Sequence, residues 1–229
     1  MIILVRHGEA THHTLHLTGG WTDSELTKKG REQLAAVGRA LAKDWLGHSC
    51  KLRILTSDLK RASESAELIA AALGQAGAVE RCAFLREKNN GQAAGLSEAA
   101  ARLLYREPAD ERSLDHRNYP GGETRREFFK RTLEGLAAKA DWEKENLLLV
   151  AHKGSIQNLI FAWMGLDIEA VNRLCFSVDV LPASVTVLGI NKWDEHAIFG
   201  LNNKLPLQEE PSYGIFNYKY GTLDACGVK

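Results

Sequence analysis

The stretch Met1-Ile2-Ile3-Leu4-Val5-Arg6-His7-Gly8-Glu9 decides the fold, because five apolar residues lead directly into charged and polar ones. The apolar residues are consecutive rather than alternating, which is typical of a strand buried on both faces of a parallel sheet. Residues 147–151 repeat the pattern and are followed by His152. Both runs therefore predict central strands that each end in a histidine.

Further apolar runs alternate with stretches of helical periodicity, as in layered α/β folds. The other predicted strands are residues 52–56, 79–85, 184–190 and 197–201. The predicted helices are residues 27–46, 60–73, 123–140, 155–164 and a short one near 167–174. The last two strands flank Lys192-Trp193-Asp194-Glu195 in the manner of a hairpin. We expect a three-layer αβα sandwich with a mostly parallel central sheet and an antiparallel edge strand.

The length and charge of the chain limit its organisation and partners. Its 229 residues suit one α/β domain, so we expect residues 1–229 to form a single domain with a tail, 206–229, of open role. With 29 basic and 29 acidic side chains the formal net charge is zero, which argues against non-specific binding to nucleic acid or anionic membranes. No apolar run approaches the roughly 18 residues of a membrane span. We therefore expect a cytoplasmic protein.

Chemically versatile side chains follow the predicted parallel strands. Arg6 and His7 follow the first strand, and Arg61 lies one helical turn after the second. Glu87 follows the third strand and His152 the fourth. Ligands bind beyond the carboxyl ends of the strands in such sheets, so these residues are expected to converge there.

Six short blocks, in this order, resemble those of the histidine phosphatase superfamily, the phosphoglycerate-mutase-like enzymes. The resemblance covers the chain from Met1 to about residue 205. The blocks are Leu4-Val5-Arg6-His7-Gly8-Glu9, Gly20-Trp21-Thr22-Asp23, Thr56-Ser57-Asp58-Leu59-Lys60-Arg61-Ala62, Leu85-Arg86-Glu87, Pro120-Gly121-Gly122-Glu123-Thr124 and Val150-Ala151-His152.

The resemblance implies a catalytic set of five residues. His7 would be the nucleophile that forms a phosphohistidine, since a neutral imidazole is nucleophilic near pH 7. Arg6 and Arg61 would bind the phosphoryl oxygens, which guanidinium groups match with bidentate hydrogen bonds. His152, if protonated, would add a donor and a positive charge. Glu87 would be the general acid and base.

Four further residues are expected to bind substrate. Gly20 belongs to the second block, and Gly154 could offer its backbone N–H to the phosphate at the start of a helix. His13 stands where the family usually has asparagine, and Lys153 where it typically has glycine. Lys153 would add charge to the phosphate site if it points inward, and would be a solvated cation if it points outward.

Neither a metal nor an organic cofactor is expected, because a side chain is the nucleophile and arginines neutralise the phosphate. His12, His13 and His16 form a local cluster, but their spacing matches no usual zinc site. The four cysteines, Cys50, Cys82, Cys175 and Cys226, are scattered and are expected to be reduced thiols.

Three functions are compatible with these residues: a phosphatase acting on a small phosphorylated metabolite, a phosphoglycerate mutase, and a non-catalytic phosphate-binding module. The mutases have a longer insertion after the glutamate, and Asn90 and Ala93-Ala94 replace bulkier or polar residues, which favours the phosphatase. The binding module would be expected to lack some of the catalytic set. Oligomeric state stays open. Four arginines could bind a second anionic group, or be solvated: Arg112, Arg117, Arg125 and Arg126.

Overall fold

A computed structural model describes residues 1–45, 52–110, 113–175 and 177–204. The strands are β1 (Ile2–Arg6), β2 (Arg53–Thr56), β3 (Val79–Arg81), β4 (Leu147–Ala151), β5 (Val185–Ile190) and β6 (His196–Asn203). The helices are α1 (Thr11–Thr14), α2 (Lys28–Trp45), α3 (Lys60–Ala72), α4 (Glu98–Leu104), α5 (Arg125–Lys139), α6 (Lys153–Trp163) and α7 (Ile168–Leu174). The predicted tail, 206–229, lies outside the described residues.

The six strands form one sheet in the order β3-β2-β4-β1-β5-β6. The strands β3, β2, β4 and β1 are mutually parallel. The last two strands form an antiparallel hairpin at the edge, where β5 pairs with β1 and β6 pairs with β5. The predicted mostly parallel sheet with an antiparallel edge is therefore confirmed.

Helices cover both faces of the sheet, because successive side chains of each central strand point to opposite faces. Leu4 and Leu149 face the layer made by α5, α6 and α7. Ile3 and Val150 face the layer made by α2 and α3. Complete burial of such a side chain stabilises the fold by roughly 1.5–3 kcal/mol. The three-layer αβα architecture is confirmed.

The third strand is shorter than predicted and changes the path of the chain. Residues 79–85 were expected to be one strand, but β3 ends at Arg81 and a 3₁₀ turn, Ala83–Leu85, follows. The partner strand β2 ends at Thr56, whose carbonyl accepts the Cys82 N–H at 2.7 Å. Beyond that bond the chain has no strand to pair with, and it turns so that Leu85 is fully buried. Glu87 follows directly.

Two helix starts depart from the prediction in ways that local hydrogen bonds explain. The helix expected to span 123–140 begins at Arg125, because Thr124 and Glu127 form a reciprocal capping box. The helix expected from residue 155 begins at Lys153, directly after His152. Among the described ranges, no helix is long and apolar enough to cross a membrane.

Candidate active site

His7 follows β1 and is buried, with 2% of its surface exposed. Its Nδ1 lies 2.7 Å from the Gly8 carbonyl oxygen, and its Nε2 lies 3.2 Å from Nε of Arg61. A carbonyl oxygen only accepts and a guanidinium only donates, so Nδ1 carries the proton and Nε2 the lone pair. Burial, followed by the charges of Arg61, His152 and Arg6, holds the pKa of His7 well below its usual 6.5. The ring is therefore neutral near pH 7.

Arg61, in the first turn of α3, is fixed beside His7 by backbone carbonyls. It donates to the carbonyl oxygens of Thr22, at 2.5 Å, and Gly20, at 2.8 Å. Burial lowers the pKa of Arg61 to about 10, so the guanidinium is still charged near pH 7. The structure thus places Gly20 at the site, where its carbonyl orients the arginine.

Arg6 and His13 place two N–H donors next to each other. The Ala10 N–H lies 3.1 Å from Nδ1 of His13, which makes Nδ1 the acceptor and leaves the proton on Nε2. That Nε2 lies 3.2 Å from an Nη atom of Arg6, which also donates. Burial, then the charges of Arg6 and Arg61, lowers the pKa of His13 to about 4, so the ring is neutral. Two neighbouring donors are suited to an anionic oxygen that accepts a hydrogen bond from each of them.

His152 closes the site from the end of β4, and its ring centroid lies 5.1 Å from that of His7. Arg6 Nε and both ring nitrogens of His152 have no hydrogen-bond partner within the described part of the chain. Burial and the charges of Arg61 and Arg6 hold the pKa of His152 well below its usual value. His152 is therefore neutral near pH 7, so it adds no positive charge and has one N–H to donate.

Glu87 reaches the site from the turn after β3. One carboxylate oxygen accepts the Lys88 N–H at 2.9 Å, and the other accepts the Gly154 N–H at 3.0 Å. A Cβ atom at position 154 would lie 2.3 Å from a Glu87 oxygen and 2.8 Å from the Phe128 ring. The expectation that Gly154 offers its N–H to phosphate is corrected, because this N–H holds Glu87 instead.

Arg131, on α5, anchors the segment that carries Glu87. It donates to the Phe84 carbonyl at 2.9 Å and to the Glu87 carbonyl at 3.1 Å, and it forms a bidentate ion pair with Glu123. Arg131 could not be recognised from the sequence, because its partners are mainly backbone carbonyls, which leave no residue pattern. Trp21 braces the same segment through a 2.8 Å hydrogen bond from its ring N–H to the Glu87 carbonyl.

The Lys153 side chain is 45% exposed, and its ammonium forms a 2.8 Å ion pair with Asp179, which is 62% exposed. The alternative in which Lys153 adds charge to the phosphate site is therefore not the one observed. His12 is buried beside His13 and pairs with Ser24 at 2.7 Å. Within the described residues no cluster of histidine, cysteine and carboxylate side chains is arranged to hold a metal ion.

Comparison with known proteins adds an independent line of evidence to this geometry. The model of the histidine phosphatase superfamily (branch 1) matches residues 2–203. The chain belongs to the histidine phosphatase superfamily. The 2,3-bisphosphoglycerate-dependent phosphoglycerate mutase of Xanthobacter autotrophicus is 30% identical over 181 residues, which cover 76% of this chain and 85% of the relative.

Solved structures of phosphatases share the fold of this superfamily member. The α-ribazole phosphatase of Shigella flexneri superimposes with a TM-score of 0.68 at 25% identity, covering 88% of this chain and 96% of its own. A mycobacterial glucosyl-3-phosphoglycerate phosphatase gives a TM-score of 0.64 at 26% identity, covering 88% and 97%. The recognition made from the six blocks is confirmed. Superfamily membership leaves both phosphatase and mutase activity open.

Proposed function

We propose that this protein is a phosphatase that hydrolyses a small phosphomonoester through a phosphohistidine on His7. One observation carries the proposal: Nε2 of His7 bears a lone pair and is surrounded by donors that suit phosphoryl oxygens. Arg61 uses one Nη2 proton on Gly20 and has a second to offer. Donors of Arg6 and His13 lie 3.2 Å apart, and His152 has a free N–H among the described residues. Donors preorganised in this way each contribute roughly 2.7–4 kcal/mol to transition-state stabilisation.

In the first step, the Nε2 lone pair attacks phosphorus and the bond from phosphorus to the ester oxygen breaks. Glu87, in its acid form, gives its proton to the departing oxygen, so that an alcohol leaves. In the second step, Glu87 accepts a proton from water, whose oxygen attacks the phosphohistidine and releases phosphate. Positioned proton transfer of this kind contributes typically about 10²–10⁴-fold. The backbone donors at Lys88 and Gly154 hold the Glu87 carboxyl group for both steps.

A second candidate is a phosphoglycerate mutase, which would return the phosphoryl group from His7 to a bound phosphoglycerate. The names of the relatives at about 30% identity favour it. The phosphatase is preferred because the resemblance gives the mutases a longer insertion after the glutamate than this chain has between Glu87 and Gly122, and because the solved neighbours include phosphatases.

One comparison separates the candidates. We expect the protein to release phosphate from p-nitrophenyl phosphate and from at least one metabolite ester, with both activities lost in His7→Ala. Interconversion of 2- and 3-phosphoglycerate without net phosphate release would support the mutase. Inactivity towards a broad panel of phosphoesters would contradict both and favour the non-catalytic binding module.

A further inference from the structure

A cavity of about 390 Å³ is lined on one side by Glu87. Phe128, Phe161 and Ile168 supply its apolar surface. Three cations also line it: Lys88, Arg125 and Lys153. Its volume is in the range of small-molecule sites, which run from about 300 to 1,000 Å³.

Two of these cations have amide partners rather than carboxylates. Lys88 donates to the Asn118 amide oxygen at 3.2 Å, and Arg125 donates to the Asn172 amide oxygen at 2.9 Å. Among the described residues neither forms an ion pair, although Glu123 and Glu87 lie close enough to Lys88 to act on it through space. Amide oxygens orient a cation without neutralising it, so Arg125 and Lys88 have no carboxylate hydrogen-bonded to them within the described part of the chain, and Lys88 is offset only through space.

Other arginines around α5 form ion pairs with carboxylates, unlike Lys88 and Arg125. Arg117 pairs with Glu127, Arg126 with Asp115 and Glu169, and Arg131 with Glu123. Of the four arginines that the sequence offered for a second anionic group, Arg117 and Arg126 are thus committed to carboxylates, and Arg112 lies outside the described residues. Arg125 is the member of that set that lines the cavity.

Two features of this pair of cations favour an anion beside them. Burial, and next the charge of Arg125, lowers the pKa of Lys88, which shows that the two groups repel each other. Arg125 is also the first residue of α5, where the helix dipole disfavours a cation and favours an anion. An anionic group between Lys88 and Arg125 would relieve both effects.

We propose that this cavity receives the alcohol portion of the phosphomonoester, and that this portion carries a second acidic group held by Lys88 and Arg125. The inference rests on the proposed function, because Glu87 protonates the leaving oxygen and the alcohol must therefore lie on its side. The two rings and Ile168 contact the carbon skeleton. The substrate class is a phosphomonoester of an acid-bearing alcohol, in which the acid is a carboxylate or a second phosphate.

Matched pairs of esters test this assignment. For the carboxylate, kcat/KM is measured for 3-phosphoglycerate and glycerol 3-phosphate. For the second phosphate, it is measured for fructose 1,6-bisphosphate and fructose 6-phosphate. We expect the acid-bearing member of one pair to be favoured by about 10- to 100-fold, as for hydrogen bonds to a charged group. The pair that shows the preference identifies the acid.

Variants that remove one positive charge show which side chains cause the preference for the acid-bearing ester. Arg125→Gln should lower kcat/KM for the favoured ester by about 10-fold or more, with the neutral partner little changed. Lys88→Gln should lower kcat/KM more for the favoured ester than for the neutral partner. Arg125→Lys should recover part of the loss. Lys130→Gln is the matched control, because Lys130 lies on the same helix, is 68% exposed and does not line the cavity.

Failure of the acid-binding assignment gives a different result from failure of the proposed phosphatase function. If p-nitrophenyl phosphate is hydrolysed but neither pair shows a preference, the acid-binding assignment is wrong and the phosphatase proposal stands. Equal losses on both members of a pair in the glutamine variants would likewise overturn the assignment. If no ester is hydrolysed at all, both proposals fail together.

Discussion

Gly154→Ala should separate the positioning of Glu87 from the binding of phosphate. The added Cβ would lie 2.3 Å from a Glu87 carboxylate oxygen, whereas an ordinary contact begins near 3.4 Å. The Phe128 ring, 2.8 Å away, blocks the other direction. The carboxyl group must therefore move by roughly 1 Å, a displacement that costs a reacting group on the order of 10²-fold in rate. We expect kcat to fall by about 100-fold.

The dependence on leaving group makes this prediction specific. An alkyl ester needs the proton from Glu87 and p-nitrophenolate does not, so the loss should be larger for alkyl phosphates. Competitive inhibition by inorganic phosphate should change little, because the nearest atoms that the added Cβ meets belong to Glu87 and Phe128. Alanine is favoured over glycine within a helix by about 1 kcal/mol. Full activity with a raised melting temperature would show that Glu87 has room to move, and would refute the reasoning.

Three further predictions concern the surrounding residues. Arg131→Gln should lower kcat for alkyl phosphates by about 10-fold or more and reduce stability by about 1.5–3 kcal/mol, because it removes charged hydrogen bonds to the Glu87 segment. Steady-state kinetics measure the first effect and urea unfolding the second. Unchanged kinetics with reduced stability would limit Arg131 to a structural role. His7 and His152 have pKa values below the unfolded value of 6.5, so the unfolded state binds more protons as the pH falls. Stability should be fully present above pH 6.5 and be lost below it, and a melting temperature that is constant from pH 7 to 5 would contradict their neutral state. His13→Asn should keep phosphatase activity within about 10-fold at pH 7, since either side chain can donate one hydrogen bond; complete loss would assign His13 a further role.

The strand ends that form the site could be predicted from the sequence, and the reason is physical. A run of consecutive apolar residues has to be buried in a central strand, and parallel strands end at the same edge of the sheet. The positions of His7, Arg61, Glu87 and His152 follow from that rule, and the resemblance to the family added their catalytic roles.

Features that depend on the tertiary path of the chain could not be predicted. Arg131 acts on backbone carbonyls, for which no side-chain pattern exists. The orientation of Lys153 depends on Asp179, which lies far along the chain. The N–H of Gly154 binds Glu87 because the third strand ends early and a tight turn follows it. The predicted continuous strand over 79–85 did not include that turn, so this contact could not be predicted.

The central claim is that His7 carries the phosphoryl group, and trapping that intermediate tests it most directly. The protein is mixed with a labelled phosphomonoester, quenched in alkali within milliseconds, and digested for mass spectrometry. We expect one phosphate, stable in base and labile in acid, on the peptide that contains His7, and none in His7→Ala. Glu87→Gln with p-nitrophenyl phosphate should increase its amount, because activation of water is slowed. Phosphate on another residue, or undiminished turnover by His7→Ala, would contradict the account.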